Sequence, residues 1–132
     1  MTTNVDTTRI IYAAINAADP DTVFAYFDDD IVVHEPPGLS YGGTYKGKTN
    51  FGGLLAALNE HWDGLQLVAD DILDADPCVI IRGRIIATIR SSGRAVEQPY
   101  LELLRFANGK AVEAWVHMDT ADVNSPVPLL VS

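Results

Sequence analysis

The chain has 132 residues, 48% of them hydrophobic, so it is long enough for one domain with a real core and too apolar for a disordered segment. Its net charge of −9 argues against nucleic acid and anionic membranes as partners. Cys78 alone cannot form an internal disulfide, no apolar run is long enough to span a bilayer, and the first residues do not resemble a signal peptide. We therefore expect a single soluble domain in the cytoplasm.

The first half of the chain is predicted to be mainly helical. Ile11, Ala14 and Ile15 recur at helical spacing, and Asp19-Pro20 ends this helix and begins a shorter one that runs to about Phe27. A short strand is predicted at 31–35, followed by a loop at 38–47 that is rich in glycine and tyrosine. The apolar spacing then predicts a third helix over about 49–62.

The second half carries strand patterns, at 65–73, 78–90, 95–106 and 111–119. The turn signals between these segments are short, so neighbouring strands must be antiparallel. Asn108-Gly109 is the strongest of these signals, because both residues accept the positive φ of a type I′ turn. Three helices followed by four such strands predict an α+β domain with its helices on one face of the sheet.

The last predicted strand is unusual because its alternate positions are polar or aromatic. Glu113, Trp115, His117 and Asp119 would share one face, since side chains alternate along a strand. The other face would be apolar. An imidazole, an indole and two carboxyl groups side by side are more typical of a cavity wall than of a solvated surface, so this face is a candidate site.

Several short motifs, in this order and spacing, resemble the SnoaL-like branch of the nuclear transport factor 2-like superfamily. They are Phe27-Asp28-Asp29-Asp30, Tyr45-Lys46-Gly47 before the third helix, and Glu113-x-Trp115-x-x-x-Asp119 after Gly109-Lys110. The resemblance covers about residues 7–122 and leaves a C-terminal tail at 123–132. It implies one SnoaL-like domain over 1–132 with a cystatin-like fold, a cone-shaped half-barrel in which a strongly curved, mostly antiparallel sheet wraps around a pocket. It also implies a homodimer.

Ketosteroid isomerases of this superfamily carry a general-base carboxylate just before a proline, and Glu35 in His34-Glu35-Pro36 occupies that place. Glu102 lies where that family keeps a protonated acid that stabilises the dienolate oxygen. The family's oxyanion tyrosine falls on Ile11 in a gap-free alignment, with Tyr12 one position further along the helix. The resemblance thus implies acid–base chemistry by Glu35 and Glu102, which needs no cofactor and no metal.

Two other activities of the superfamily imply different residues. Polyketide cyclases use an aspartate on the last strand, and Asp119 or His117 would fill that role. Epoxide hydrolases need two carboxylates around a water and an arginine nearby, for which Arg82 and Arg84 are candidates. His117 stands where the last-strand aspartate of those hydrolases would be expected.

The expected pocket would bind a small hydrophobic ligand between flat side chains. Its walls would come from the aromatic and polar residues that the alternation and the resemblance place there, namely Tyr12, His34, Tyr100, Phe106 and Trp115. A carboxyl group in such an apolar cavity has a raised pKa, which suits it to exchange protons with a carbon acid. A plainer alternative holds for each polar residue: Glu113, for example, would simply pair with Arg105 or Arg94 across the sheet.

Residues 42–49 match the phosphate-binding pattern G-x-x-x-x-G-K-[ST], with a helix after them. That loop requires parallel βαβ units, and no helix long enough for a crossover follows Trp62. We therefore expect no nucleotide ligand. The sequence predicts a cofactor-free isomerase or polyketide cyclase; the alternatives are a non-catalytic binding or dimerisation module and, third, an epoxide hydrolase.

Overall fold

The computed structural model describes residues 2–120, so the predicted tail at 123–132 lies outside the described residues. Three helices and six strands follow one another along the chain. They are α1 (Asn4–Asn16), α2 (Pro20–Ala25), β1 (Phe27–Glu35), β2 (Gly43–Lys46), α3 (Gly47–His61), β3 (Trp62–Ala75), β4 (Cys78–Ile89), β5 (Arg94–Ala107) and β6 (Lys110–His117). The predicted α+β class is confirmed.

The strands form one curved sheet in the order β2-β1-β6-β5-β4-β3. All neighbours are antiparallel except β1 and β6, which run parallel and bring the first strand beside the last. We call the face that packs against the helices the inner face and the opposite one the outer face. The core lies between the inner face, α1 and α3, and its most deeply buried large side chains include Ile11, Leu54, Trp62, Ile81 and Leu104.

Local sequence signals explain where the elements begin and end. Thr3 and Asp6 cap α1 reciprocally, and the Asp19 carboxylate accepts a hydrogen bond from the backbone N–H of Thr22 at the start of α2. Asn108 and Gly109 have φ values of 53° and 77° and join β5 to β6 by a two-residue turn, as predicted.

Three predictions about the elements are wrong. Residues 38–47 are not all loop, because 43–46 form the edge strand β2, which owes its existence to backbone pairing with β1 rather than to an apolar pattern. The last strand ends at His117, so Asp119 does not belong to it. The first strand also begins earlier than expected, at Phe27.

The segment that matches the phosphate-binding pattern has a different geometry from a phosphate-binding loop. Its middle residues form β2, which runs antiparallel to β1, and Lys48 pairs with Asp29 at 3.1 Å. Within residues 2–120, no helix is both long and apolar enough to cross a membrane.

Candidate active site

A cavity of about 90 Å³, the inner cavity, lies between α1, α3 and the inner face of the sheet. Its lining is predominantly aliphatic and aromatic. The polar groups on it are the carboxyl groups of Glu35 and Glu102, the hydroxyl groups of Tyr12, Tyr41 and Tyr100, and the indole N–H of Trp62. Two carboxyl groups within one apolar cavity are the most unusual feature of this chain, because unpaired buried carboxylates are costly.

Strand alternation places both carboxyl groups on the inner face. Glu35 is the last residue of β1 and follows Val33 on the same side, and Glu102 lies between Tyr100 and Leu104 on the inner face of β5. Each glutamate therefore occupies a position that the pattern reserves for core residues. In the sequence alone, each glutamate is visible only as a polar residue at a strand position where the alternation expects an apolar one.

Two tyrosines form a hydrogen-bonded chain that ends on Glu102. The Tyr12 hydroxyl donates to Glu102 Oε1 at 2.6 Å, and the Tyr100 hydroxyl donates to the Tyr12 oxygen at 2.8 Å. Tyr100 can lie close to β4 because its neighbour there is Gly83, where a Cβ atom would come within 2.8 Å of the tyrosine ring and hydroxyl. Gly83 is thus a close-approach glycine that sets the position of this relay.

Burial raises the pKa of both glutamates, but to different extents. The pKa of Glu35 rises to about 8, through desolvation and then through the nearby charge of Glu102. The pKa of Glu102 rises to about 7, because the hydrogen bond from Tyr12 stabilises its carboxylate and opposes the effect of burial. The hydrogen bond from Tyr12 thus favours the carboxylate form of Glu102.

Tyr41 is a cavity residue that the sequence did not reveal. Its hydroxyl accepts a hydrogen bond from the indole Nε1 of Trp62 at 3.0 Å, and burial together with Glu35 raises its pKa. Both side chains line the inner cavity. Tyr41 lies in a stretch that was predicted to be a loop, where strand alternation cannot assign a side chain to either face. The one sequence signal for a buried position was an aromatic residue among glycines.

Four of the predicted site residues come together in the inner cavity: Tyr12, Glu35, Tyr100 and Glu102. Tyr12 faces it together with Ile11, because α1 buries a broad side and a tyrosine is long enough to reach Glu102. The offset of one position from the ketosteroid isomerase pattern is therefore no obstacle to a tyrosine hydroxyl in the cavity.

The placement predicted for the polar face of β6 is wrong. His117 and Asp119 are exposed, and the residues of this segment that line the cavity are Ala114, Val116 and Met118. The register explains this: Ala114 and Val116 pair with the inner residues Leu104 and Glu102. The apolar side of β6 was selected for the inner face because burying it is favourable.

Trp115 and His34 belong to the outer face, so they do not form pocket walls either. Their rings stack on each other at 5.4 Å, and His34 Nε2 lies 2.7 Å from Glu113 Oε2. Arg105 Nη2 donates to the other oxygen of Glu113 at 3.2 Å, as the plainer alternative for Glu113 expected. Phe106 is buried in the core and does not line the cavity.

The arginines expected for epoxide hydrolysis also lie outside the inner cavity. Arg82 pairs with Asp71, and Arg84 pairs with both Asp70 and Glu97 on the outer face. Among the described residues that line the cavity there is no arginine. Residues 2–120 likewise contain no group of three or more His, Cys, Asp or Glu side chains that could hold a metal ion.

Comparison with known proteins places this geometry in a family. Residues 9–114 match the SnoaL-like domain family. The chain is similar to an NTF2-like protein of unknown function from Burkholderia pseudomallei K96243, at 27% identity over 92% of this chain and 94% of that one, with a TM-score of 0.85. It is also similar to an NTF2-like protein from Burkholderia thailandensis E264, at 30% identity over 91% and 93% of the two chains, with a TM-score of 0.84.

A hypothetical protein from Catenulispora acidiphila DSM 44928, solved in complex with trimethylamine, has a ketosteroid isomerase-like fold. It is 16% identical over 93% of this chain and 91% of that one, with a TM-score of 0.79, and so shares the fold alone. No curated protein matches the chain.

Proposed function

The chain belongs to the SnoaL-like domain family, and we propose that it is a cofactor-free acid–base enzyme, an isomerase or polyketide cyclase type of protein acting on a small hydrophobic carbonyl compound. The observation that carries the proposal is the pair Glu35 and Glu102 in one apolar cavity, with pKa values of about 8 and about 7. Groups that titrate near neutral pH are suited to both taking and giving a proton.

The two carboxyl groups share one proton between these pKa values, because two charges in the apolar cavity would repel each other. Tyr12 favours the charge on Glu102, so Glu102 is the base and Glu35 keeps its proton. These roles are the reverse of those that the resemblance to ketosteroid isomerases implied. The reversal rests on the tyrosine relay, which ends on Glu102.

The reaction that this arrangement supports begins at a C–H bond next to a carbonyl. Glu102 takes the proton, the electron pair moves into the carbonyl to form an enolate, and Glu35 donates a hydrogen bond to the enolate oxygen. For isomerisation, Glu102 returns the proton to another carbon. For an aldol closure, the enolate carbon forms a bond to a second carbonyl carbon, whose oxygen then takes the proton of Glu35. The proton that Glu102 removed from carbon passes back to Glu35, which restores the starting pair.

The test compares Glu102→Gln with Glu35→Gln, using the small ketone 3-cyclohexen-1-one and the absorbance of its conjugated product. Glutamine removes a base, but it remains a neutral hydrogen-bond donor. We expect Glu102→Gln to lower kcat about 10²–10⁴-fold, whereas Glu35→Gln keeps much more of the rate. Wild-type kcat/KM should be bell-shaped between about pH 7 and 8, and Glu35→Gln should lose the upper limb. If Glu35→Gln lowers kcat more than Glu102→Gln does, Glu35 is the base and Glu102 the acid, as the resemblance to ketosteroid isomerases implied.

A non-catalytic binding or dimerisation module is the second candidate, and the small volume of the inner cavity favours it because little room is left for a substrate. An apolar cavity of about 150 Å³ holds one benzene molecule, whereas the inner cavity measures about 90 Å³. If small ketones bind but neither isomerise nor exchange their α-protons for deuterium in D₂O, this candidate replaces the enzyme.

A further inference from the structure

A second and larger cavity adjoins the first. The outer cleft, about 680 Å³, lies between the corner of α1 and α2, the middle of α3 and the first residues of β3. Its walls mix apolar side chains with amides and charged groups, including Phe24, Gly52, Ala56, Asn59 and Arg90. None of the four residues that the proposed function uses lines it.

The two cavities share part of their lining, which stands between them as a partition. The shared residues are Ile15, Leu55, Leu58, Trp62 and Leu65. Trp62 is 1% exposed and its indole N–H donates a hydrogen bond to Tyr41, so it is a fixed part of the partition. The other four are partly exposed aliphatic side chains, whose rotamers can change without breaking a hydrogen bond.

The volumes indicate that a ligand needs both cavities. An apolar cavity known to hold a single benzene ring measures about 150 Å³, whereas the inner cavity measures about 90 Å³. A ligand that brings a carbonyl group to Glu102 must therefore displace part of the lining, and the aliphatic partition is the side behind which free space already exists. The outer cleft has room for several more atoms of the same molecule.

We infer that the outer cleft is the entrance and the second subsite of the inner cavity, and that the ligand is elongated, with a carbonyl head near Glu102 and a neutral tail in the cleft. Ile15, Leu55, Leu58 and Leu65 act as a gate that opens around the middle of the ligand. The inference rests on the proposed function for the identity of the head.

The charges of the cleft favour a neutral tail. Arg90 already pairs with Asp63 at 3.5 Å and donates to the carbonyl groups of Asn59 and Trp62. Asp19 adds a second carboxylate to the walls. Among the described lining residues, negative charge therefore exceeds positive charge, and a tail that carries a carboxylate or phosphate would be repelled.

The test uses calorimetric titration with 4-alkylphenols, from phenol to 4-pentylphenol. The phenol hydroxyl represents the head and the alkyl chain the tail. Each methylene that enters an apolar site raises affinity about 4-fold, so partial entry predicts that 4-pentylphenol binds roughly 30-fold more tightly than phenol. A phenol whose alkyl chain ends in a carboxylate should bind less tightly than the alkylphenol of equal length.

Two adjacent glycines of α3 provide a matched pair of variants. A Cβ at Gly52 would touch the Phe24 ring at 3.5 Å in the cleft, whereas a Cβ at Gly53 meets nothing within 4 Å. Gly52→Leu should reduce the advantage of 4-pentylphenol over phenol to less than about 3-fold. Gly53→Leu should behave like the wild type. If Gly52→Leu does not fold, Ala56→Phe fills the same cleft.

The outcomes separate this inference from the proposed function. The inference is overturned if affinity does not rise with the length of the alkyl chain, or if the rise survives in the cleft-filling variant. Either result leaves the inner site intact. Failure of every phenol to bind overturns both. A rise in affinity that Gly52→Leu abolishes supports the inference, even when kcat on ketones is zero and the proposed enzyme is excluded.

Discussion

At the scale of single residues, the raised pKa values of Glu35 and Glu102 make the stability of the fold depend on pH. The folded state holds these protons more tightly than the unfolded chain, whose glutamates have pKa values near 4.5. The contribution is therefore fully present below about pH 4.5 and is lost as the pH rises through about 8. We expect the free energy of unfolding to fall by several kcal/mol over this interval, since each unit of pKa shift corresponds to about 1.4 kcal/mol.

Urea denaturation at pH 5, 6.5 and 8.5 measures this loss, with the double variant Glu35→Gln/Glu102→Gln as the control. The double variant should lose much less stability, because glutamine does not titrate. His61, whose lowered pKa acts in the opposite direction, is present in both proteins and cancels in the difference. If the free energy of unfolding depends on pH equally in the two proteins, the folded state does not hold the protons of the carboxyl pair more tightly than the unfolded chain does.

Tyr12→Phe tests the relay itself. Removing the hydroxyl deletes the 2.6 Å hydrogen bond to the Glu102 carboxylate, so the pKa of Glu102 should rise and the acidic limb of kcat/KM should move to higher pH. The matched variant is Tyr26→Phe, which changes a tyrosine outside the inner cavity. A pH profile shifted equally by both variants, or by neither, would contradict the assignment of Tyr12.

The residues of the site differ in how far the sequence could predict them. Glu35 and Glu102 were found because each resembles a functional position of a known family. His117 and Asp119 were misplaced because alternation gives two faces without saying which one the helices cover. That choice depends on the register between β5 and β6, which is fixed by packing of the whole sheet.

At the scale of elements, Arg90 fastens the end of α3 to the sheet. Its guanidinium donates to the backbone carbonyls of Asn59 and Trp62, at 3.0 and 3.2 Å. We expect Arg90→Ala to lower the free energy of unfolding by about 1–2 kcal/mol, because two carbonyl groups near the helix end lose a charged donor. Arg82→Ala is the control, since its pair with Asp71 is exposed and should be worth less than about 0.5 kcal/mol. Equal losses in urea denaturation would contradict this role.

The helices and the long strands could be predicted because each carries its own periodic pattern or capping residues. The edge strand β2 could not, since its four residues alternate between half-buried and exposed and carry no apolar pattern that would mark a strand. The parallel contact of β1 with β6 was also beyond local reasoning. It joins segments far apart in sequence, and no turn signal records it.

At the scale of the whole molecule, the outer face of the sheet is the surface on which we expect the predicted homodimer to form. Leu73, Ile86 and Leu101 are exposed there by 56%, 39% and 51%, respectively. Leu101→Glu would replace one of these apolar side chains by a charge and should shift the mass measured by light scattering from dimer to monomer. Gly53→Glu, on the helical side, adds the same charge and should leave the mass unchanged. A monomeric wild type would overturn the prediction.

The position of β6 between β1 and β5 also determines when the fold can be completed during synthesis. The hairpin of β1 and β2 leaves the ribosome early, yet its partner strand begins only at Lys110. Until then β1 has one free edge, and the cavity that contains Glu35 is open on that side. Such a late, long-range pairing slows folding and leaves an unpaired strand available for intermolecular contacts. A nascent chain that stalls before residue 110 would therefore expose an aggregation-prone strand edge next to the acid–base pair. Formation of the site thus depends on timely completion of the chain.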